Sequence, residues 1–234
     1  MNNIAIKITQ GTDHAYPPAD INIVIDVIRA FTVSHIAFLL GVREIWLVNT
    51  VAEAWALKEI NPEYLLAGEV GGLPIQDFEL DNSPYTFSTA DIAHKSLVQK
   101  TSNGVRATLL ALNADLILVT GLSNAKRTAL HAKNRASTKR NCVINIIASH
   151  ASDDDDLACA EYIRDILQDS NTVKIQEIQS RILASRLAKK FFDPENLAFN
   201  AKDMDFCTQE VDCDFVMEVD QRFAVPRIIQ RTVI

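Results

Sequence analysis

The chain has 234 residues, 48% of them apolar and 23% charged, enough to bury a substantial core and too apolar for long disordered stretches. Its formal net charge of -7 repels nucleic acid phosphates and anionic membrane surfaces, so any anion-binding function needs a local basic site. No apolar run approaches the length that spans a bilayer, and the start, Met1 to Lys7, lacks a signal peptide's charged region and apolar core. These features lead to the expectation of a cytosolic protein that engages neither membrane nor nucleic acid, loose only at its two termini.

Residues 22 to 27 form a short β-branched run reaching a carboxylate, Asp26, the pattern of a buried parallel strand. A helix is predicted from Thr32 to Leu40, stopped by Gly41, then a strand from Ile45 to Val48 and a helix from Val51 to Glu59. The stretch from Leu65 to Pro84 collects three of the seven glycines and two prolines and reads as a long shaped loop.

A strand over Ser96–Lys100, a turn at Thr101 to Gly104 and a helix from Val105 to Leu112 follow, then a strand from Asp115 to Thr120. Residues 126 to 140 are basic, but no aromatics interleave, so they read as a solvated helical face. The segment Cys142 to Ala148 is a strong strand. It runs through Ser149 and His150 into the acidic run Asp153 to Asp156, with Ser152 as candidate N-cap of a helix from Leu157 to Leu167. A further helix is expected over 174 to 192, and a short helix with extended segments over 203 to 229. Cys142, Cys159, Cys207 and Cys213 have neither zinc-site spacing nor disulfide-scaffold density, and read as reduced, mostly buried thiols.

Strands alternating with helices predict a three-layer α/β/α domain over 1–234 with a mostly parallel sheet. Within it, segments of about 20–60 and 96–135 repeat one order. Each runs through a turn, Asp26-Val-Ile-Arg29-Ala30 or Asn103-Gly-Val-Arg106-Ala107, into an apolar helix and another strand. If both turns close parallel strands, they lie where open α/β sheets place ligands. An arginine beside free backbone N–H groups suits a phosphate or carboxylate. Asp26, at an apolar strand end, either pairs with Arg29, binds a metal or does chemistry.

Spacing excludes several familiar sites. Haloacid dehalogenase phosphatases need a second aspartate where Ile28 stands, and no cysteine is followed six residues later by arginine. The chain also has no G-x-x-x-x-G-K-[ST], G-x-G-x-x-G, G-x-S-x-G or H-E-x-x-H.

In collinear order the chain instead resembles the 2-phosphosulfolactate phosphatases. Asp26-Val-Ile-Arg29-Ala30-Phe-Thr32 is similar to D-V-L-R-A-T-T, Ala67-Gly68-Glu69-Val70-Gly71-Gly72 to A-G-E-R-G-G, and Asp77-Phe78 with Asn82-Ser83-Pro84 to F-D-L-G-N-S-P. Thr101-Ser102-Asn103-Gly104-Val105-Arg106-Ala107 is similar to T-T-N-G-T-R-A, Ser123-Asn124-Ala125 to L-N-A, Asp155-Asp156-Leu-Ala-Cys159-Ala160 to E-D-x-L-C-A, and Val225-Pro226 to a terminal V-P. Val70 replaces the motif's arginine, His150 and Ala151 stand in a normally glycine-rich stretch, and Glu161 replaces a glycine.

The resemblance implies Mg2+-dependent hydrolysis of a small phosphate monoester carrying a second anionic group. It puts Asp26, Glu69 and Asp156 forward as metal ligands. Arg29 and Arg106 would hold the two anions, and Ser102, Asn103, Gly104 and Asn124 would hydrogen-bond the substrate. Asp26 as a phosphorus-attacking nucleophile stays open, and so does a homodimer. The competing readings are a non-catalytic anion-binding or regulatory protein that keeps the fold, and a nucleotide or sugar-phosphate transferase on a similar sheet that needs an acceptor.

Overall fold

The computed structural model describes residues 4–13 and 15–233, so the expectation of loose termini falls partly outside the described residues. In chain order the elements are β1 (Ile4–Gln10), β2 (Ala19–Ile25), α1 (Ala30–Leu39), β3 (Glu44–Leu47), α2 (Val51–Ile60), β4 (Leu65–Val70), β5 (Leu73–Pro74), α3 (Pro84–Ser88), β6 (Ser96–Lys100) and α4 (Gly104–Leu110). They continue as β7 (Ala114–Thr120), α5 (Ala125–Ser137), β8 (Cys142–Ala148), α6 (Asp154–Gln168), α7 (Ile175–Ala184), α8 (Arg186–Lys189), α9 (Asp203–Cys207), β9 (Phe215–Asp220) and β10 (Arg227–Thr232).

The strands form one ten-stranded sheet in the order β1-β8-β2-β7-β9-β10-β3-β6-β4-β5. β1, β8, β2 and β7 run parallel to one another, as do β3, β6 and β4, with β5 antiparallel at the β4 edge. Between these blocks the steps β7 to β9, β9 to β10 and β10 to β3 are all antiparallel. Three reversals leave the two parallel blocks opposed in direction. β2 and β6 stand third and eighth in that order, yet the Gly104 N–H just after β6 donates to the Asp26 carboxylate just after β2, at 2.8 Å. The carboxyl ends of the two blocks therefore converge.

Side-chain alternation places a different layer on each face of the first block. Ile21, Ile23 and Ile25 pack with Leu118, Ile144 and Ile146 against the alanine face of α5 and against α6. Val24, Val119 and Ile147 face α1 and α4. α1 is apolar nearly all round and is buried from Ala30 to Phe38, as a helix enclosed on every side must be. No helix among the described residues is long and apolar enough to cross a membrane.

Three expectations are corrected. The stretch from Leu65 to Pro84 is not one loop: it contains β4, paired in parallel with β6, the short β5, and the start of α3. The N-cap of α6 is Asp153 rather than Ser152, and the helix begins at Asp154. The Asp153 carboxylate also accepts the N–H groups of Arg186 and Leu187 at 3.0 and 2.8 Å, so one side chain joins the starts of α6 and α8. That tie accompanies the third difference. The helix expected over 174 to 192 breaks at Ser185, whose hydroxyl accepts the Ala188 N–H and caps α8.

His35 lies on α1, buried, with Nδ1 2.9 Å from the Ser123 hydroxyl and Nε2 without a partner among the described residues. Burial pushes its pKa down from 6.5 to about 4. The folded state therefore holds it neutral, and its contribution is complete above the unfolded value and lost as pH falls from 6.5 towards 4. Over that window the wild type should lose about 3 kcal/mol relative to His35→Gln, measured as the difference between their denaturant-unfolding free energies. Parallel pH profiles for the two proteins would contradict this account of His35.

Candidate active site

Where the two blocks meet, a cleft of about 290 Å³ is lined by Asp26, Arg29, Glu69, Ser102 and Asn103, with Asn82, His150, Lys190, Phe191 and Phe199 among the other residues of its wall. Both of the turns noted in the sequence contribute to it.

Asp26 is 5% exposed and is held from two directions. Its Oδ1 accepts the Ala30 N–H at 2.9 Å and its Oδ2 the Gly104 N–H. A β-carbon at position 104 would sit 2.6 Å from Oδ2, so only glycine permits this approach. The Asp26–Arg29 pair, one of the three readings open for Asp26, does not form. Arg29 instead donates from Nη1 to Asp203 at 2.9 Å and from Nη2 to the Gly72 carbonyl at 3.1 Å. Its guanidinium lies 5.0 and 5.4 Å from the ring centres of Phe191 and Phe199, a cation–π contact on each. Asp203 also accepts the Ser83 hydroxyl and the Tyr85 N–H, which anchors the arginine to α3 and α9. The Ile28–Arg29 peptide is cis.

Glu69, 6% exposed at the end of β4, accepts the N–H groups of Ser102 and Gly72 and the Ser102 hydroxyl. The cleft floor therefore carries two carboxylates fixed by backbone donors. Asp156 lies in a second row. Its oxygens accept the Val27 N–H at 2.7 Å, the Ser149 hydroxyl at 2.8 Å and the His150 N–H at 3.1 Å, and it does not line the cleft. Asp155 is buried too, with Oδ1 lacking a partner among the described residues.

Burial raises all three of these aspartates, and mutual repulsion adds to it. For Asp26 the further push comes from Asp156 and Glu69, for Asp156 from Asp155, and for Asp155 from Asp26 and Asp153. Such crowding of buried negative charge calls for a proton or a cation.

Among the described residues no three His, Cys, Asp or Glu side chains are grouped to ligate one ion. Mg2+ usually takes one or two carboxylates and fills its octahedron with waters and phosphate oxygens. Asp26 and Glu69, both facing the cleft, fit that requirement, whereas Asp156 stands behind them.

The other residues singled out in the sequence are distributed unevenly. Ser102 and Asn103 line the cleft, and the Asn103 side chain makes no capping bond that would turn it away. Gly104 serves through its N–H to Asp26. Arg106 is exposed and lines a neighbouring depression instead. Asn124 is buried elsewhere, accepting the Thr120 hydroxyl at 2.9 Å and contacting Thr128 at 3.4 Å. Sequence reasoning missed Asn82, Lys190, Phe191, Phe199 and Asp203. Asn82 lay inside a noted motif and is buried with its Oδ1 unpartnered among the described residues, but the others carried no local signal.

The four cysteines are buried or half-buried, and burial pushes their thiols up, away from nucleophilic thiolates.

Comparison with known proteins gives a consistent result. The family model for 2-phosphosulpholactate phosphatase matches residues 7–229. A probable 2-phosphosulfolactate phosphatase of Bacillus subtilis is 53% identical over 223 residues, 95% of this chain and 97% of that protein. Another from Caldicellulosiruptor saccharolyticus is 32% identical over 212 residues, 82% of this chain and 86% of its own. One from Deinococcus radiodurans is 40% identical over 126 residues, about half of each chain at 53% and 52%.

Proposed function

Because the chain belongs to the 2-phosphosulfolactate phosphatase family, we propose that it hydrolyses 2-phosphosulfolactate to sulfolactate and phosphate, with Mg2+ as its cofactor and the Asp26–Glu69 cleft as its site. The observation that carries this reading is the pairing, in one cleft, of an acidic floor with a rigidly mounted guanidinium.

Water attack on phosphorus breaks the bond to the hydroxy-acid oxygen, so the site must orient the phosphoryl group and offset its charge. Arg29 meets phosphoryl oxygens with donors whose direction is fixed by Asp203, the Gly72 carbonyl and two aromatic rings. Asn103 and Asn82, which both line the cleft, contribute neutral hydrogen bonds. Asp26 and Glu69 would hold Mg2+, which when bound offsets phosphoryl charge and polarises an attacking water. Both Asp26 oxygens are already aligned by N–H donors, which favours holding a cation over attacking phosphorus. Asp156 acts from behind, setting Val27 and His150 through their N–H groups.

Phosphate release across a panel of monoesters tests the substrate class. Phosphorylated hydroxy acids bearing a sulfonate or second carboxylate should show a kcat/KM at least about tenfold above that of simple alkyl phosphates. Folded protein that binds phosphate yet turns over none of them would replace this reading with a non-catalytic anion binder.

A further inference from the structure

Ser102 lines the catalytic cleft and also a second depression, formed with Asn49, Lys100, Thr101 and Arg106, in which no carboxylate among the described residues takes part. Lys100 is only 9% exposed, and its ammonium donates to the Glu69 carbonyl at 3.2 Å without an ion pair among the described residues. An ammonium carries three donors, so a buried cation is left with unused hydrogen-bonding capacity and no counter-charge. Arg106 lines the same depression, exposed, and it too has no ion pair among the described residues. The Thr101 hydroxyl accepts the Val105 N–H at 3.1 Å, which leaves its proton free to donate. Donors of this kind, one a planar guanidinium, lining one depression with no acid among the described residues suit a tetrahedral oxyanion.

We propose that Lys100, Arg106, Thr101 and Asn49 form a second oxyanion site, distinct from the Asp26–Glu69 cleft and joined to it through Ser102. Its ligand is a phosphate, sulfate or sulfonate group. That chemistry has two sources: the second anionic group of a substrate whose phosphoryl group lies in the cleft, or a free oxyanion. Only the first source rests on the phosphatase reading. Lys100 would couple the two sites, since its ammonium holds the backbone carbonyl of the residue whose carboxylate forms the cleft floor.

Inorganic sulfate, titrated calorimetrically into the full chain at low ionic strength, tests the site without any need for turnover. Arg106→Gln and Lys100→Met should each weaken sulfate binding at least about tenfold, and Arg106→Lys should recover part of the loss. Arg106 is exposed, so its variant keeps the test valid if the buried lysine variant does not fold. Kinetics then separate the sources. If the substrate's own anion fills the site, Arg106→Gln raises KM for 2-phosphosulfolactate at least about tenfold more than for an alkyl phosphate. If a free oxyanion fills it, sulfate inhibits alkyl phosphate turnover by the wild type and Arg106→Gln abolishes that inhibition. Sulfate affinity unchanged in Arg106→Gln overturns the site, whichever phosphate esters are hydrolysed.

Discussion

Asp26→Asn is expected to lower kcat/KM for 2-phosphosulfolactate by roughly 10³-fold or more while the protein stays folded. An asparagine has one acceptor where the carboxylate has two. It can keep either the Ala30 or the Gly104 N–H as a partner, and it sets its amide donor against the other. That mismatch costs about 1–3 kcal/mol. Loss of the charge works the other way, because burial and repulsion from Asp156 and Glu69 already disfavour the ionised carboxyl. Thermal unfolding should therefore change little while phosphate release disappears. Near-normal turnover would remove Asp26 from the chemistry.

The second large effect concerns stability. Asp203→Ala removes the acceptor for Arg29, the Ser83 hydroxyl and the Tyr85 N–H in one step. Arg29 and Asp203 are both buried, so the guanidinium is left charged, desolvated and unpaired, which costs about 3–5 kcal/mol. Urea denaturation of the two proteins measures this directly. Asp203→Asn should retain part of the stability, since its amide oxygen still accepts either the Arg29 donor or both the Ser83 hydroxyl and the Tyr85 N–H. A loss below about 1 kcal/mol for the alanine variant would show that Arg29 finds another partner or water.

The sequence was legible where a segment's own composition decides its structure. Cys142–Ala148 and most of Ala114–Thr120 announce themselves because strands buried on both faces must be apolar throughout. β4 was hidden for the converse reason. Gly68, with φ +144°, lies so close to the Lys100 carbonyl that a β-carbon would fall 1.9 Å from it, so the pairing with β6 demands a residue that imitates a loop. β1 is only half-buried along much of its length and gives no strong apolar run.

At the site, Asp26, Arg29, Ser102 and Asn103 could be singled out because they flank strand ends. Asp203 is 174 residues from its partner Arg29, and nothing local marks it. The turn at Ser185 is similarly set from afar, by Asp153 holding the start of α8. Arg106 was grouped with Arg29 by the shape of its turn, but the helix it sits on carries it to the adjoining depression.

The proposed reaction in the cleft between the two blocks is Mg2+-assisted hydrolysis of a phosphate ester. Its most direct test is phosphate release from 2-phosphosulfolactate by the chelator-stripped wild type, titrated with Mg2+. No turnover is expected without the ion, and saturable turnover as it is added. Turnover at full rate in the stripped protein, or none at any Mg2+ concentration with the fold intact, would contradict it.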